Sequence, residues 1–143
     1  MVQVATADDI CILAEMAKEI WGGSKSELAR HFKDAIADRD SAVFLKREEG
    51  VPVGFVQCTL RRDYVEGTQS SPVGYLEGIF VRNEFRKRGY ARQLLYECEV
   101  WARAQGCSEF ASDCELQNCD SLSFHIKVGF SEANRIICFK KML

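Results

Sequence analysis

Leu76-Glu-Gly-Ile-Phe-Val81, running straight into Arg82-Asn-Glu-Phe-Arg-Lys-Arg-Gly-Tyr-Ala91, decides how this chain is read. The first six residues are a short apolar run interrupted by one acid, which predicts a strand. The next ten hold Arg82, Arg86, Lys87, Arg88 and Gly89. They open the strongest helical pattern in the sequence, in which Ala91, Leu94, Leu95, Cys98, Trp101 and Ala102 recur at helical spacing until Gly106. A strand, a cationic glycine turn and a helix start make an anion site. The first N–H groups of a helix lack partners within it, and its dipole adds positive potential there. The plain alternative is a basic, solvated helix N-terminus. Neither G-x-G-x-x-G nor G-x-x-x-x-G-K-[ST] occurs, so neither a dinucleotide fold nor a P-loop is indicated.

Upstream, Thr6-Ala-Asp-Asp9 resembles a capping box and precedes a helix carrying Ile10, Leu13, Ala17 and Trp21, stopped by Gly22-Gly23. Ser24-Lys-Ser-Glu27 is a second box, opening a helix with Leu28, Phe32, Ala35 and Ile36 on one face. Residues 42–46 and 51–61 predict two antiparallel strands joined at Glu48-Glu49-Gly50. A polar loop at 62–72 then leads to a strand at 73–81. Downstream of the central helix the pattern predicts a strand near 107–112 and a short helix from Asn118 to Val128, ended by Gly129. Ile136 to Met142 reads as a closing strand. The order predicts an α/β (α+β) sheet with helices packed on it, in one domain spanning 1–143.

Composition bounds the function. The chain has 143 residues, 47% of them hydrophobic, enough for a real core. Its 19 basic and 21 acidic side chains give a net charge of −2, which argues against a nucleic-acid partner. No window approaches the length of a membrane span, and the acidic N-terminus predicts no secretory leader. Seven cysteines without a C-x-x-C, and only two histidines (His31 and His125), predict no metal site. Seven scattered thiols suit a reducing cytoplasm.

Strand, Arg-x-x-Gly-x-Ala, then helix resembles the GNAT N-acetyltransferase superfamily. Its pyrophosphate loop, Gln/Arg-x-x-Gly-x-Gly/Ala, is matched by Arg86, Gly89 and Ala91. Asn118 followed by Phe124-His125-Ile-Lys-Val-Gly129-Phe130 resembles that family's later Asn…Leu-Tyr-x-Lys-x-Gly-Phe segment. The resemblance spans nearly the whole chain. It implies a mixed, mostly antiparallel sheet flanked by helices, with a central splayed strand pair, and acetyl-CoA as co-substrate without a metal. It implies that main-chain amides near Phe80 and Val81 meet the thioester and pantetheine arm. The turn of Arg86, Lys87, Arg88, Gly89, Tyr90 and Ala91 would take the pyrophosphate, and Asn118 would join the coenzyme contacts. His125 stands at the family's tyrosine, where it either protonates the departing thiolate or serves as a half-buried helix histidine.

A narrower match lies upstream. Arg62-Asp-Tyr-Val-Glu-Gly, Ser70-Ser-Pro-Val, Leu76-Glu-Gly-Ile-Phe-Val81 and Ala111-Ser-Asp113 look like the aminoglycoside 6'-N-acetyltransferases, as does Trp21 before Gly22-Gly23. Two positions depart from that group: Ser24, where some members have histidine, and Asn134, where some have an acid. The implied reaction moves an acetyl group to a 6'-amine. Such an amine must shed a proton held with a pKa of about 10.4, and an acidic pocket both holds ammonium groups and accepts that proton. Glu77, a carboxylate inside an apolar strand, is the first candidate for base or ammonium anchor. Asp113, at a strand's C-terminal end, is the second. Trp21 and Tyr64 offer flat faces to sugar rings, although Trp21 also completes a core stripe. Other amine acceptors and a non-catalytic acyl-CoA sensor remain open at this level, and a homodimer is implied by the family alone.

Overall fold

The computed structural model describes residues 1–143. Its elements are β1 (Val2–Val4), α1 (Ile10–Trp21), α2 (Lys25–Ala37), β2 (Ser41–Glu48), β3 (Val51–Arg61), β4 (Val73–Val81), α3 (Tyr90–Ala104), β5 (Phe110–Ala111) and α4 (Cys119–Lys127). Short 3-10 turns at Ala7–Asp9 and Asn83–Phe85 precede α1 and α3. The five strands lie in sequence order, antiparallel except for the parallel pair β4–β5. The second capping box forms as its sequence predicts: Glu27 N–H donates to Ser24 Oγ at 3.2 Å, and Ser24 N–H donates to Glu27 Oε2 at 3.1 Å.

Strand β3 is buried on both faces, which explains its unbroken apolar run. Phe55 faces α1 and α2, in a core with Leu13, Met16, Phe32 and Leu45. Val56 and Cys58 face α3, in a second core with Leu94, Leu95 and Cys98. Phe32 is fully buried; cutting such a side chain back to alanine costs about 3–5 kcal/mol.

Three elements differ from the sequence reading. β1 is unannounced, because three residues carry too little periodicity to register; Val2–Val4 pair with β2. The strand expected over 107–112 shrinks to two residues, which register only as Gly74↔Phe110 and Tyr75↔Ala111. Beyond them β4 runs on without a neighbour, so the pair is splayed and the edge of β4 from 76 to 81 lies open. The closing strand over Ile136–Met142 does not form. Residues 131–143 are neither helix nor strand, and Ile136, Ile137 and Phe139 are 67%, 80% and 90% exposed. A strand needs a partner, and none of the five strands pairs with this segment. No helix is long and apolar enough to cross a membrane.

Candidate active site

The β3–β4 register slips between Gln57 and Cys58: Gln57 opposes Gly78, whereas Cys58 opposes Leu76. Glu77 is therefore the extra residue of a bulge, a device that re-aims one side chain out of the regular pleat. Its carboxylate accepts Thr59 Oγ1 at 2.7 Å and the Arg61 guanidinium at 2.9 and 3.2 Å. Arg61 also lies over the Tyr75 ring, 3.5 Å from its centroid. The Tyr75 hydroxyl donates to the Asp113 carboxylate. Burial, then that carboxylate, push the Tyr75 phenol well above its ordinary pKa, so it stays a protonated donor. Glu77 and Asp113, 36 positions apart in sequence, thus join one polar chain through Arg61 and Tyr75.

Beside this cluster the Trp21 ring lies against Gly78. A methyl group built on Gly78 would fall 2.9 Å from Trp21 Cε2, so only a residue without a Cβ admits the indole there. Trp21 also packs on Phe32 and Phe55, each 5.9 Å away between centroids, and on His31 at 5.4 Å, yet remains 38% exposed. It belongs both to the core and to the cleft wall. His31 Nε2 lies 2.7 Å from Gln57 Oε1. Because a carbonyl oxygen only accepts, this nitrogen carries the proton.

Thr59, Arg61, Tyr75, His31 and Gln57 escaped the sequence reading. One signal was present: Gln57, Thr59 and Arg61 are polar at every second position of an otherwise apolar strand, which places them on one face. Tyr64 stays apart from the cluster. It is 76% exposed, and its hydroxyl meets only the Gly67 N–H at 3.4 Å. The 62–72 loop that carries it is anchored by Glu109, whose Oε1 accepts Ser70 Oγ at 2.5 Å and the N–H groups of Ser70 and Gln69 at 2.8 and 2.9 Å. Those bonds, the Ser70 hydroxyl first, hold the Glu109 carboxyl below the usual range.

At the open edge, Arg82 N–H donates to Val53 O at 2.9 Å. Antiparallel alternation then turns the amide of Phe80 toward β3 and those of Ile79 and Val81 toward the gap. Of the two amides suggested by the resemblance, Val81's faces the gap, while Phe80's takes part in the ladder. The Val81 carbonyl is already occupied by Arg86 Nε at 2.9 Å.

The turn beyond it takes left-handed dihedrals at Lys87 (φ 62°) and Gly89 (φ 79°). The first bond inside α3 is Gln93 N–H to Gly89 O at 3.1 Å, so the amides of Tyr90, Ala91 and Arg92 have no partner within the helix. Arg88 is committed to Glu48 at 3.2 Å and to the Glu84 carbonyl at 3.3 Å, and Tyr90 OH donates to Glu48 at 2.6 Å. Main-chain donors and the free Lys87 ammonium are what this turn presents, with Arg86 and Arg88 bracing it.

Asn118 Oδ1 accepts the Ser121 N–H at 3.1 Å and so caps α4. His125 Nδ1 faces the Ser121 carbonyl at 2.7 Å and must be protonated; its Nε2 then accepts the Ser112 hydroxyl, also at 2.7 Å. This pair ties α4 to the end of β5, one residue before Asp113. No group of three or more His, Cys, Asp or Glu side chains converges as a metal site would require.

A splayed strand pair, a bare helix N-terminus at its mouth and a bulged acid beside it define an acyl-CoA-dependent acyltransferase architecture. Residues 10–130 match the acetyltransferase (GNAT) family, and the chain belongs to that family. It is 34% identical, over 100% of its length and 99% of the relative's, to the aminoglycoside N(6')-acetyltransferase type 1 of Serratia marcescens. The crystal structure of an aminoglycoside antibiotic 6'-N-acetyltransferase from Acinetobacter haemolyticus superposes with a TM-score of 0.96 at 30% identity, covering 100% of this chain and 99% of that one. A structure of AAC(6')-Iy in complex with the bisubstrate analogue CoA-S-monomethyl-acetylneamine superposes with a TM-score of 0.95 at 33% identity, covering 100% and 98%.

Proposed function

We propose that this protein transfers the acetyl group of acetyl-CoA to the 6'-amino group of aminoglycosides, with residues 1–143 acting as one catalytic domain. One observation carries this reading. The β4 bulge sets Glu77 at the end of the open edge that leads to the anion-binding turn, inside a cluster of acids and aromatic rings suited to a polycationic sugar. The relatives and the bisubstrate complex support the choice of substrates.

The pyrophosphate would lie on the amides of Tyr90, Ala91 and Arg92, with Lys87 adding charge. The amides of Ile79 and Val81 would receive the pantetheine arm and the thioester oxygen as negative charge grows on it. The amine nitrogen forms a bond to the carbonyl carbon, the C–S bond breaks, and the thiolate takes up a proton. The amine's own proton passes to Glu77, directly or through water. His125 Nε2 accepts the Ser112 hydroxyl and has no proton to give on that side, so His125 fixes α4 against the end of β5 and the thiolate takes its proton from water.

Thiol release from acetyl-CoA, measured with tobramycin, kanamycin, spermidine and a peptide as acceptors, tests the proposal. Turnover with the two drugs is expected. A rate no higher than background with every aminoglycoside would overturn it.

The segment 131–143 supports a homodimer. Asn134 Nδ2 donates to Glu66 at 3.0 Å, but beyond Arg135 the segment makes no hydrogen bond. It exposes Ile136, Ile137, Phe139 and Met142, which isolated chains rarely leave in water. Yet a TM-score of 0.96 over the whole chain leaves no room for thirteen of 143 residues to diverge from the solved relative. A segment that follows a definite course with no hydrogen bond beyond Arg135 is held from outside, and a second copy offers a groove of mixed character. That groove, about 470 Å³, lies between α3, β5 and α4, lined half by apolar side chains such as Phe110, Val128 and Phe130 and half by other residues, Glu99, Arg103 and Glu109 among them. Light scattering should give twice 16.2 kDa for the native chain and 16.2 kDa for Phe139→Asp, at a side chain 90% exposed in its own protomer. All seven cysteines are free thiols, which favours the cytoplasm, where acetyl-CoA is also available.

A further inference from the structure

Arg61 is the last residue of β3, and its side chain is 43% exposed. It is held lightly. Only one of its terminal nitrogens reaches the Glu77 carboxylate, at 2.9 and 3.2 Å, while Nε and the other terminal nitrogen have no partner. The flat face of its guanidinium rests on Tyr75, whose hydroxyl leads on to Asp113. A delocalised cation thus lies between the two carboxylates that the acceptor reading assigns to substrate amines. The contrast with Arg47 is instructive. That guanidinium is tied to buried Asp9 at 2.6 Å and to the Gly50 carbonyl at 3.1 Å, as a structural arginine should be.

We propose that Arg61 is an internal stand-in for a substrate ammonium: it balances Glu77 when the cleft is empty and is displaced when a polycationic acceptor enters. The inference rests on the aminoglycoside reading and deepens it. Glu77 and Asp113 contribute two negative charges and Arg61 one positive charge, so the resting cluster carries −1. An ammonium arriving at Glu77 meets a like charge within a few ångströms, which favours release of the half-exposed guanidinium into solvent. Thr59 remains bonded to Glu77 at 2.7 Å throughout, so the carboxylate keeps its aim after Arg61 leaves. A monoamine merely exchanges one cation for another. An acceptor with several ammonium groups gains the remaining negative charge as well.

The test compares the native enzyme with Arg61→Ala, Arg61→Met and Arg61→Lys, using tobramycin and the monoamine 6-amino-6-deoxyglucose as acceptors. Both neutral variants should lower the tobramycin KM by about three- to tenfold, the size expected for removing one partly exposed like charge. They should lower the monoamine KM as well, by no more than the tobramycin factor because both acceptors displace the same guanidinium, and should steepen the dependence of KM on ionic strength. The acetyl-CoA KM should stay within about twofold of native, and Arg61→Lys, which keeps the charge but not the stack on Tyr75, should move the tobramycin KM less than either neutral variant. Methionine retains apolar packing on Tyr75, so Arg61→Met separates lost charge from lost contact. A raised tobramycin KM in both neutral variants would make Arg61 a substrate clamp. A lowered kcat at unchanged KM would make it a support for Glu77. Either result overturns the proposal. If the native enzyme acetylates no aminoglycoside, it is the acceptor reading that has failed, before any variant is compared.

Discussion

Replacing Gly78 with alanine tests whether the bulge and the indole above it form one unit. The added methyl would lie 2.9 Å from Trp21 Cε2, 3.2 Å from Nε1 and closer still to Cζ2. Carbon atoms settle at about 3.5–4.0 Å, so the ring must retreat by roughly 1 Å. It cannot retreat freely, because it also packs on His31 and on Phe32 and Phe55, the last two fully buried. Overpacking of this kind costs about 1–3 kcal/mol. One side of Trp21 is open to the cleft, so we expect the lower part of that range, about 1–2 kcal/mol, and a fall in Tm of about 3–8 °C. The ring's escape route lies toward the cleft, so the tobramycin KM should rise severalfold while the acetyl-CoA KM holds. Trp21→Phe removes the atoms the methyl would strike. In a thermal-melt double-mutant cycle, Gly78→Ala with Trp21→Phe should therefore be less destabilised than the sum of the single changes, by about 1 kcal/mol. Strict additivity, or a Gly78→Ala protein as stable as native, would refute the packing argument.

Two further predictions concern charge. Glu77→Gln keeps the side chain's shape and its bond from Thr59 but removes the charge. It should lower kcat/KM for tobramycin about 10²- to 10³-fold with little change in the acetyl-CoA KM, and a loss smaller than tenfold would remove Glu77 from proton transfer. Glu109 is depressed in the folded state by its bonds from Ser70 and Gln69, so its contribution to stability is present above the unfolded carboxyl pKa of about 4.3 and fades as pH falls through the lower folded value. Glu109→Gln should therefore melt below native at pH 7, and the gap should close as the pH is lowered past about 4. An equal gap at pH 3 and pH 7 would show that the carboxylate's charge is irrelevant to holding the 62–72 loop.

Much of the architecture was legible because it is local. The Ser24–Glu27 box, the α3 stripe from Ala91 to Ala102 and the paired strands around Glu49-Gly50 each declare themselves within one or two turns of chain. Glu77 was legible as a carboxylate in an apolar strand. Its partners were not, because Thr59, Arg61 and Tyr75 come to it across strands and Asp113 across a crossover helix. His31 went unread for the same reason: its meaning lies in Gln57 and Trp21, 26 and ten positions away in sequence. The segment Ile136–Met142 shows the opposite error. Its β-prone composition is real, but composition supplies no partner, and the chain's own sheet leaves it unpaired.

By itself, then, the amino-acid order determined the helices, the hairpin, the helix start whose bare amides await an anion, and through its motifs the family. Those features depend on residues within a few positions of each other, where propensity and spacing act directly. Only the tertiary structure decided that β4 and β5 part after two pairs, that one extra residue turns Glu77 out of the pleat, and that Arg61 pairs with it. Strand pairing joins residues remote in sequence, and its register and bulges are settled by what packs on each face rather than by any local preference.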